Sequence, residues 1–283
     1  MKLAIFTVPY DSGRLRQRMA LGPDRILEAG LRPLLLRLGL EFQQEEVLDG
    51  DVHAAEIASS FTLCRNLADR VRAARAEGRL PIVLSGNCGI AVGAVSGCGV
   101  RDTGVIWFDA HGESHTPETT TSGFLDGMGS AILTGQCCRA LAGSIPGFQP
   151  LLGSRVLLVG SRDVEPAEAA LLDRVGVVLT SGVGNLRPLI AQFAESLSGV
   201  YVHFDLDVLD PAEAVANQWT PKGGLTLKEL LGAVTAICDC VPVAGFGFGS
   251  YDPLADSDGR ALRAVEAIAE LLLTRRPAHL LAR

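Results

Sequence analysis

The sequence predicts an α/β domain built on a parallel sheet. Short apolar, β-rich runs alternate with longer amphipathic or Ala/Leu-rich stretches along the 283 residues. Most of the short runs are nearly continuous in apolar residues, as strands covered on both faces are. Proline and glycine mark the ends of several long stretches.

Residues 3–8 read as the first strand. A helix over 23–38 follows, with Pro23 in its first turn and Gly39 as its stop signal. Residues 41–47 form the second strand, and a helix over 54–77 ends at Gly78. PIVLSGNCGIAVGAV then holds a strand over 80–84, a Gly-rich turn with Cys88, and a helix of small residues. The strand over 103–109 leads into a polar, Thr-rich stretch, 112–134, with the composition of a long loop. Such loops in compact domains are often functional. Strands over 155–160, 175–179, 199–207 and 241–249 complete the set, with helices over 165–175, 225–238 and 259–273. No repeat, low-complexity segment or linker interrupts the pattern, so residues 1–283 are expected to form one domain.

Composition narrows the function. An apolar fraction of 48% suits a globular protein and excludes disorder. A net charge of −7 without a basic run makes nucleic acid an unexpected partner. The N-terminal apolar run is too short for a signal peptide, and no run of about 20 apolar residues predicts a membrane span. Seven cysteines, an odd number, suggest reduced thiols and a cytoplasmic location.

Two strand ends carry metal-type ligands. VIWFDAHGESH places Asp109, His111 and Glu113 two apart, and VYVHFDLDVLDP places Asp205 and Asp207 two apart. In an extended chain such residues share a face. Both clusters fall at carboxyl ends of strands, where open α/β sheets place ligands. A lone acid there is usually a cap or turn residue. Two converging clusters would repel, and burying them without a cation is costly. Four carboxylates and an imidazole favour a hard or borderline dication such as Mn²⁺. Cys88 sits at an equivalent place, as a ligand or as a small buried hydrophobe.

Together these segments resemble the arginase/agmatinase ureohydrolase family. The matching pieces are LGPDRILEAGL, SGNCGIAVGAVSG, DAHGESHTPETTTSGFLDGM, GSRDVEPAE and HFDLDVLDPAEA with TPKGGLT. The resemblance implies a three-layer α/β/α sandwich with a parallel, roughly eight-stranded sheet. It also implies two Mn²⁺ ions and hydrolysis of a guanidino amino acid by a metal-bridging hydroxide. The bridging aspartates would be Asp109 and Asp205, with His111 and Asp207 completing the second ion's ligands. Cys88 and Glu113 stand where the first ion's His and Asp belong.

Further departures touch catalysis. Asp126 replaces a catalytic His, and Ser250 stands where a Glu pairs with the guanidinium, with Tyr251 and Asp252 as alternative occupants. Thr120 and Ser122 match positions near the substrate α-carboxylate, and Glu165 replaces an Asp near the α-amino group. Thr and Ser are also common loop residues, and Glu165 is equally readable as a helix-start acid. Glu113 is the candidate proton donor to the departing amine, and Asp126 a candidate relay.

A guanidine bearing an N-hydroxy group is less basic and needs no carboxylate partner. The Cys-for-His and Asp-for-His pattern is similar to the family branch that acts in D-cycloserine biosynthesis, an antibiotic pathway. That branch converts Nω-hydroxy-L-arginine to hydroxyurea and L-ornithine. Alternatives are another ureohydrolase, such as an arginase or guanidino-acid hydrolase, and a degenerate member without turnover. A monomer is expected rather than a trimer.

Overall fold

The computed structural model describes residues 1–50, 55–99, 103–182 and 184–275. Ala54, the expected start of the second helix, lies outside the described residues. Eight strands form one sheet: β1 (Lys2–Val8), β2 (Glu41–Glu46), β3 (Arg79–Ser85), β4 (Thr103–Phe108), β5 (Val156–Val159), β6 (Val178–Thr180), β7 (Gly199–Asp205) and β8 (Val243–Gly249). The order is β2-β1-β3-β8-β7-β4-β5-β6, and every adjacent pair is parallel.

The longer helices are α1 (residues 22–37), α2 (Glu56–Ala76), α3 (Ala91–Cys98), α4 (Pro166–Val175), α5 (Arg187–Ala194), α6 (Leu227–Cys240) and α7 (Arg260–Thr274). A wider π turn over Ile26–Leu31 interrupts α1. Side chains alternate along each strand, so the sheet feeds two cores. Ile5, Leu84, Phe204 and Phe248 pack with α1, α5, α6 and α7, whereas Phe6, Val83, Trp107 and Tyr201 pack with α2, α3 and α4. These are the three layers that the resemblance implies. Fully burying each large apolar side chain contributes roughly 1.5–3 kcal/mol.

Small residues set two close approaches. A Cβ at Gly93 or Gly97 would come within 2.6 Å of the α2 backbone, so the small-residue face of α3 lets the two helices touch. In β8, a Cβ at Gly247 would lie 2.4 Å from the Tyr201 hydroxyl, and one at Gly249 would lie 3.1 Å from the His203 ring. The glycine-rich strand therefore makes room for the larger side chains of β7.

The sequence expectations differ from the structure in four places. The strand expected over 199–207 ends at Asp205, and Leu206–Val208 form a 3-10 turn that carries Asp207. The strand expected over 175–179 begins at Val178, because α4 runs through Val175 and Gly176 caps it in the left-handed region at φ 74°. The 112–134 stretch ends in a short helix, Gly129–Leu133, rather than remaining loop throughout. Helix α5 was not singled out; it is short and lies close to the loop-forming sequence SGVGN.

Candidate metal centre

Asp109 leaves β4 beside Asp205 at the end of β7, because Phe108 registers opposite Phe204. Backbone N–H groups and one indole aim these carboxylates. Asp109 accepts from His111 N at 2.7 Å and from the Trp107 indole at 2.9 Å. Asp205 accepts from Asp207 N at 3.1 Å, and Asp207 accepts from Ala110 N at 3.1 Å. Two ligand triplets result: Cys88 with Asp109 and Asp205, and Asp109 with His111 and Asp207, each with its ligand atoms within 4.8 Å. Asp109 belongs to both. Glu113 lies beside the first triplet, where the Cys88 thiol donates to its Oε2 at 3.3 Å. Its backbone is left-handed at φ 52°.

The electrostatics fit bound cations. Burial, then neighbouring acids, push Asp205 and Glu113 well above the ordinary carboxylate range. Burial likewise raises Asp207 and drives the Cys88 thiol far up. His111 is pulled down by burial, yet its Asp109 hydrogen bond and the Asp207 charge carry it to about 9. Dications would neutralise these acids, displace the His111 proton and favour the thiolate.

These groups face a cavity of about 190 Å³. Ser122, Glu165 and Ser250 line it with Glu113, Asp126 and His115. Ser250 accepts at its carbonyl from Asn217 Nδ2 at 2.8 Å and hydrogen-bonds Asp205 through its side chain. Tyr251 turns away to donate to Asp256, and the Asp252 carboxylate accepts from Leu254 N, so Ser250 is the one of the three that reaches the cavity. Thr120 is not among the lining residues; its hydroxyl accepts from Gly123 N at 3.0 Å and shapes the loop. Glu165 caps α4, and its side chain is 53% exposed, 3.7 Å from His115 Nε2. Burial carries Asp126 up to about 7 against the hydrogen bonds that it accepts.

Other contributors were not legible as site residues. Trp219 lines the mouth, paired at 6.4 Å between centroids with Phe124, which like His115 stands where the resemblance has a loop Asn. Arg162, in the GSRDV motif, donates to the carbonyls of Asp207 at 2.8 Å and Pro221 at 3.0 Å, which ties the ligand loop to its neighbour. His203 lies under the site with both ring nitrogens unpartnered, and burial pulls it down to about 4. Its place in the VHFDLD run, one side-chain repeat before Asp205, was the available signal.

Two ligand clusters sharing one aspartate, at the carboxyl ends of central parallel strands, have the make-up of a binuclear metal centre. Comparison with known proteins identifies which kind. A model of the arginase family matches residues 1–274. The arginase of Brevibacillus brevis is 28% identical over 94% of this chain and 95% of its own length. That of Eremothecium gossypii is 32% identical over 84% of this chain, which spans 66% of the relative's length. The solved arginase of Bacillus caldovelox superposes with a TM-score of 0.87 at 27% identity, covering 97% of this chain and 99% of that one. The chain belongs to the arginase family, whose members are ureohydrolases that cleave guanidino compounds.

Proposed function

We propose that this ureohydrolase acts on Nω-hydroxy-L-arginine and releases hydroxyurea and L-ornithine. The observation that carries the reading is Ser250. An unmodified guanidinium is a permanent cation and is bound best by a carboxylate. The resemblance assigns the guanidinium-facing position to Ser250, a neutral hydroxyl that lines the cavity, whereas Asp252 does not line it and accepts from Leu254 N. An N-hydroxyguanidine, being less basic, enters such a site uncharged.

Cys88, Asp109 and Asp205, with Glu113 beside them, would hold one Mn²⁺, and Asp109, Asp205, His111 and Asp207 the other. When bound, two dications activate water at neutral pH and stabilise the charge that develops on the substrate. The rest falls to the chain's own groups. Glu113 faces the cavity and stands to deliver a proton to the departing ornithine amine. Glu165 and Ser122 orient the amino-acid head group at the mouth, where Phe124 and Trp219 shield it from water.

The test is a product assay on Nω-hydroxy-L-arginine, L-arginine and agmatine with Mn²⁺-loaded protein. Hydroxyurea formation should dominate. Urea release from arginine at an equal or higher kcat/KM would overturn the assignment.

A further inference from the structure

We propose that Asp126 is a positioning residue that clamps the Cys88 turn and so delivers the thiol to the first metal position. The proposal rests on the binuclear reading above. After β3 the chain makes a short turn, Cys88–Ile90, and enters α3. Such a start leaves backbone N–H groups without partners, and Asn87, which precedes the turn, makes no side-chain cap. Asp126 supplies the cap from 38 residues away. Its Oδ1 accepts from Gly89 N at 2.6 Å, and its Oδ2 accepts from Cys88 N at 3.2 Å.

A third donor completes the clamp. Asn87 Nδ2 donates to Asp126 Oδ2 at 2.7 Å, while Asn87 Oδ1 accepts from Ser12 N at 2.7 Å. The same amide lies 3.5 Å from the fully buried Asp11, which pairs with Arg18 at 3.1 Å. The turn is thereby bound both to the 112–134 segment and to the segment after β1. Gly89 gives the carboxylate room to approach, because a Cβ there would lie 2.9 Å from Asp126 Oδ1 and push it back.

Three of the roughly four lone-pair directions of a carboxylate are used in this way. Both oxygens of Asp126 accept from the turn, and the Cys88 side chain also hydrogen-bonds the carboxylate. The turn in turn decides where the Cys88 sulfur goes: within 4.8 Å of the Asp109 and Asp205 oxygens.

Cobalt(II) is the probe, because a thiolate ligand gives it a near-ultraviolet charge-transfer band. Wild type, Asp126→Asn, Asp126→Ala and Gly89→Ala are loaded with Co²⁺, and the band, the ions per chain and the pH profile of turnover are measured. Loss of a supporting hydrogen-bond shell costs about 10–100-fold in metal affinity. Asp126→Ala should therefore lose the band and the Cys88-side ion while keeping the ion on the His111 side. Asp126→Asn should retain part of the band, and the pH profile should keep its shape. A full band with both ions retained but one limb of the pH profile lost would make Asp126 a proton relay and overturn the clamp. If Asp126→Ala fails to fold, Gly89→Ala decides, since it pushes the clamp open with Asp126 in place: an intact band there overturns the proposal. A wild-type protein without band or second ion would instead refute the metal reading.

Discussion

Replacing Glu165 with Gln tests how the head group of the substrate is recognised. If Glu165 were a desolvated partner of the α-ammonium, removing its charge would cost roughly 2–5 kcal/mol. The structure argues for less. The side chain is 53% exposed at the mouth of the cavity, and its nearest basic neighbour, His115 Nε2, is 3.7 Å away. Water screens such a pair, and exposed pairs contribute about 1 kcal/mol or less. Since 1.4 kcal/mol is tenfold, the expected loss is about fivefold. The variant keeps the shape of the capping residue of α4, so folding is spared. The assay compares kcat/KM for Nω-hydroxy-L-arginine with that for the analogue lacking the α-amino group. The ratio should fall about fivefold, on the same pair-energy scale. An unchanged ratio would return Glu165 to the role of a helix cap. A fall beyond about a hundredfold would show that the mouth closes and desolvates the pair.

Three further outcomes follow from the geometry. Cys88→His should keep both ions, because imidazole is an equally good ligand, and should shift the kcat/KM ratio toward L-arginine; a ratio that stays put sinks the idea that the thiolate tunes substrate choice. Gly247→Ala places a Cβ 2.4 Å from the Tyr201 hydroxyl and 2.7 Å from the Val83 carbonyl oxygen. Overpacking of this kind costs about 1–3 kcal/mol, so Tm should drop by several degrees, and an unchanged Tm would contradict the close approach of β7 and β8. Metal removal should reverse the pH dependence of stability. Without cations, the raised folded-state values of Glu113, Asp205 and Asp207 mean that the folded chain binds protons more tightly than the unfolded one. The stabilisation is complete below the ordinary carboxylate range near about 4 and is lost as pH rises through the raised folded values. EDTA-treated protein should therefore melt lower at pH 8 than at pH 5, and Mn²⁺ at about a hundred times its Kd should restore about 2.7 kcal/mol at pH 8. Equal melting at the two pH values in EDTA would show that the acids do not converge.

The eight strands and the long helices were readable because each rests on local signals: apolar runs of strand length, a helix-start Pro, glycines after helices. The two ligand pairs were readable for the same reason. A spacing of two after an apolar run marks both pairs, but the extended geometry it suggests does not hold: β4 ends at Phe108, Asp207 sits in the 3-10 turn Leu206–Val208, and Asp205 and Asp207 join different triplets. Tertiary structure alone decided what depends on contacts between distant segments. The register of β4 against β7 makes Asp109 common to both triplets. The turn after β8 aims Ser250 at the cavity and sends Tyr251 to Asp256. Asp126 looked like a replacement for a catalytic His, but its oxygens meet Asn87, Cys88 and Gly89, 37–39 residues away. Trp219 reaches the mouth because its loop crosses to Phe124. Periodicity reports which way a residue faces on its own element. It carries no information about which N–H from another loop will meet it, and in this protein those meetings set the chemistry of the site.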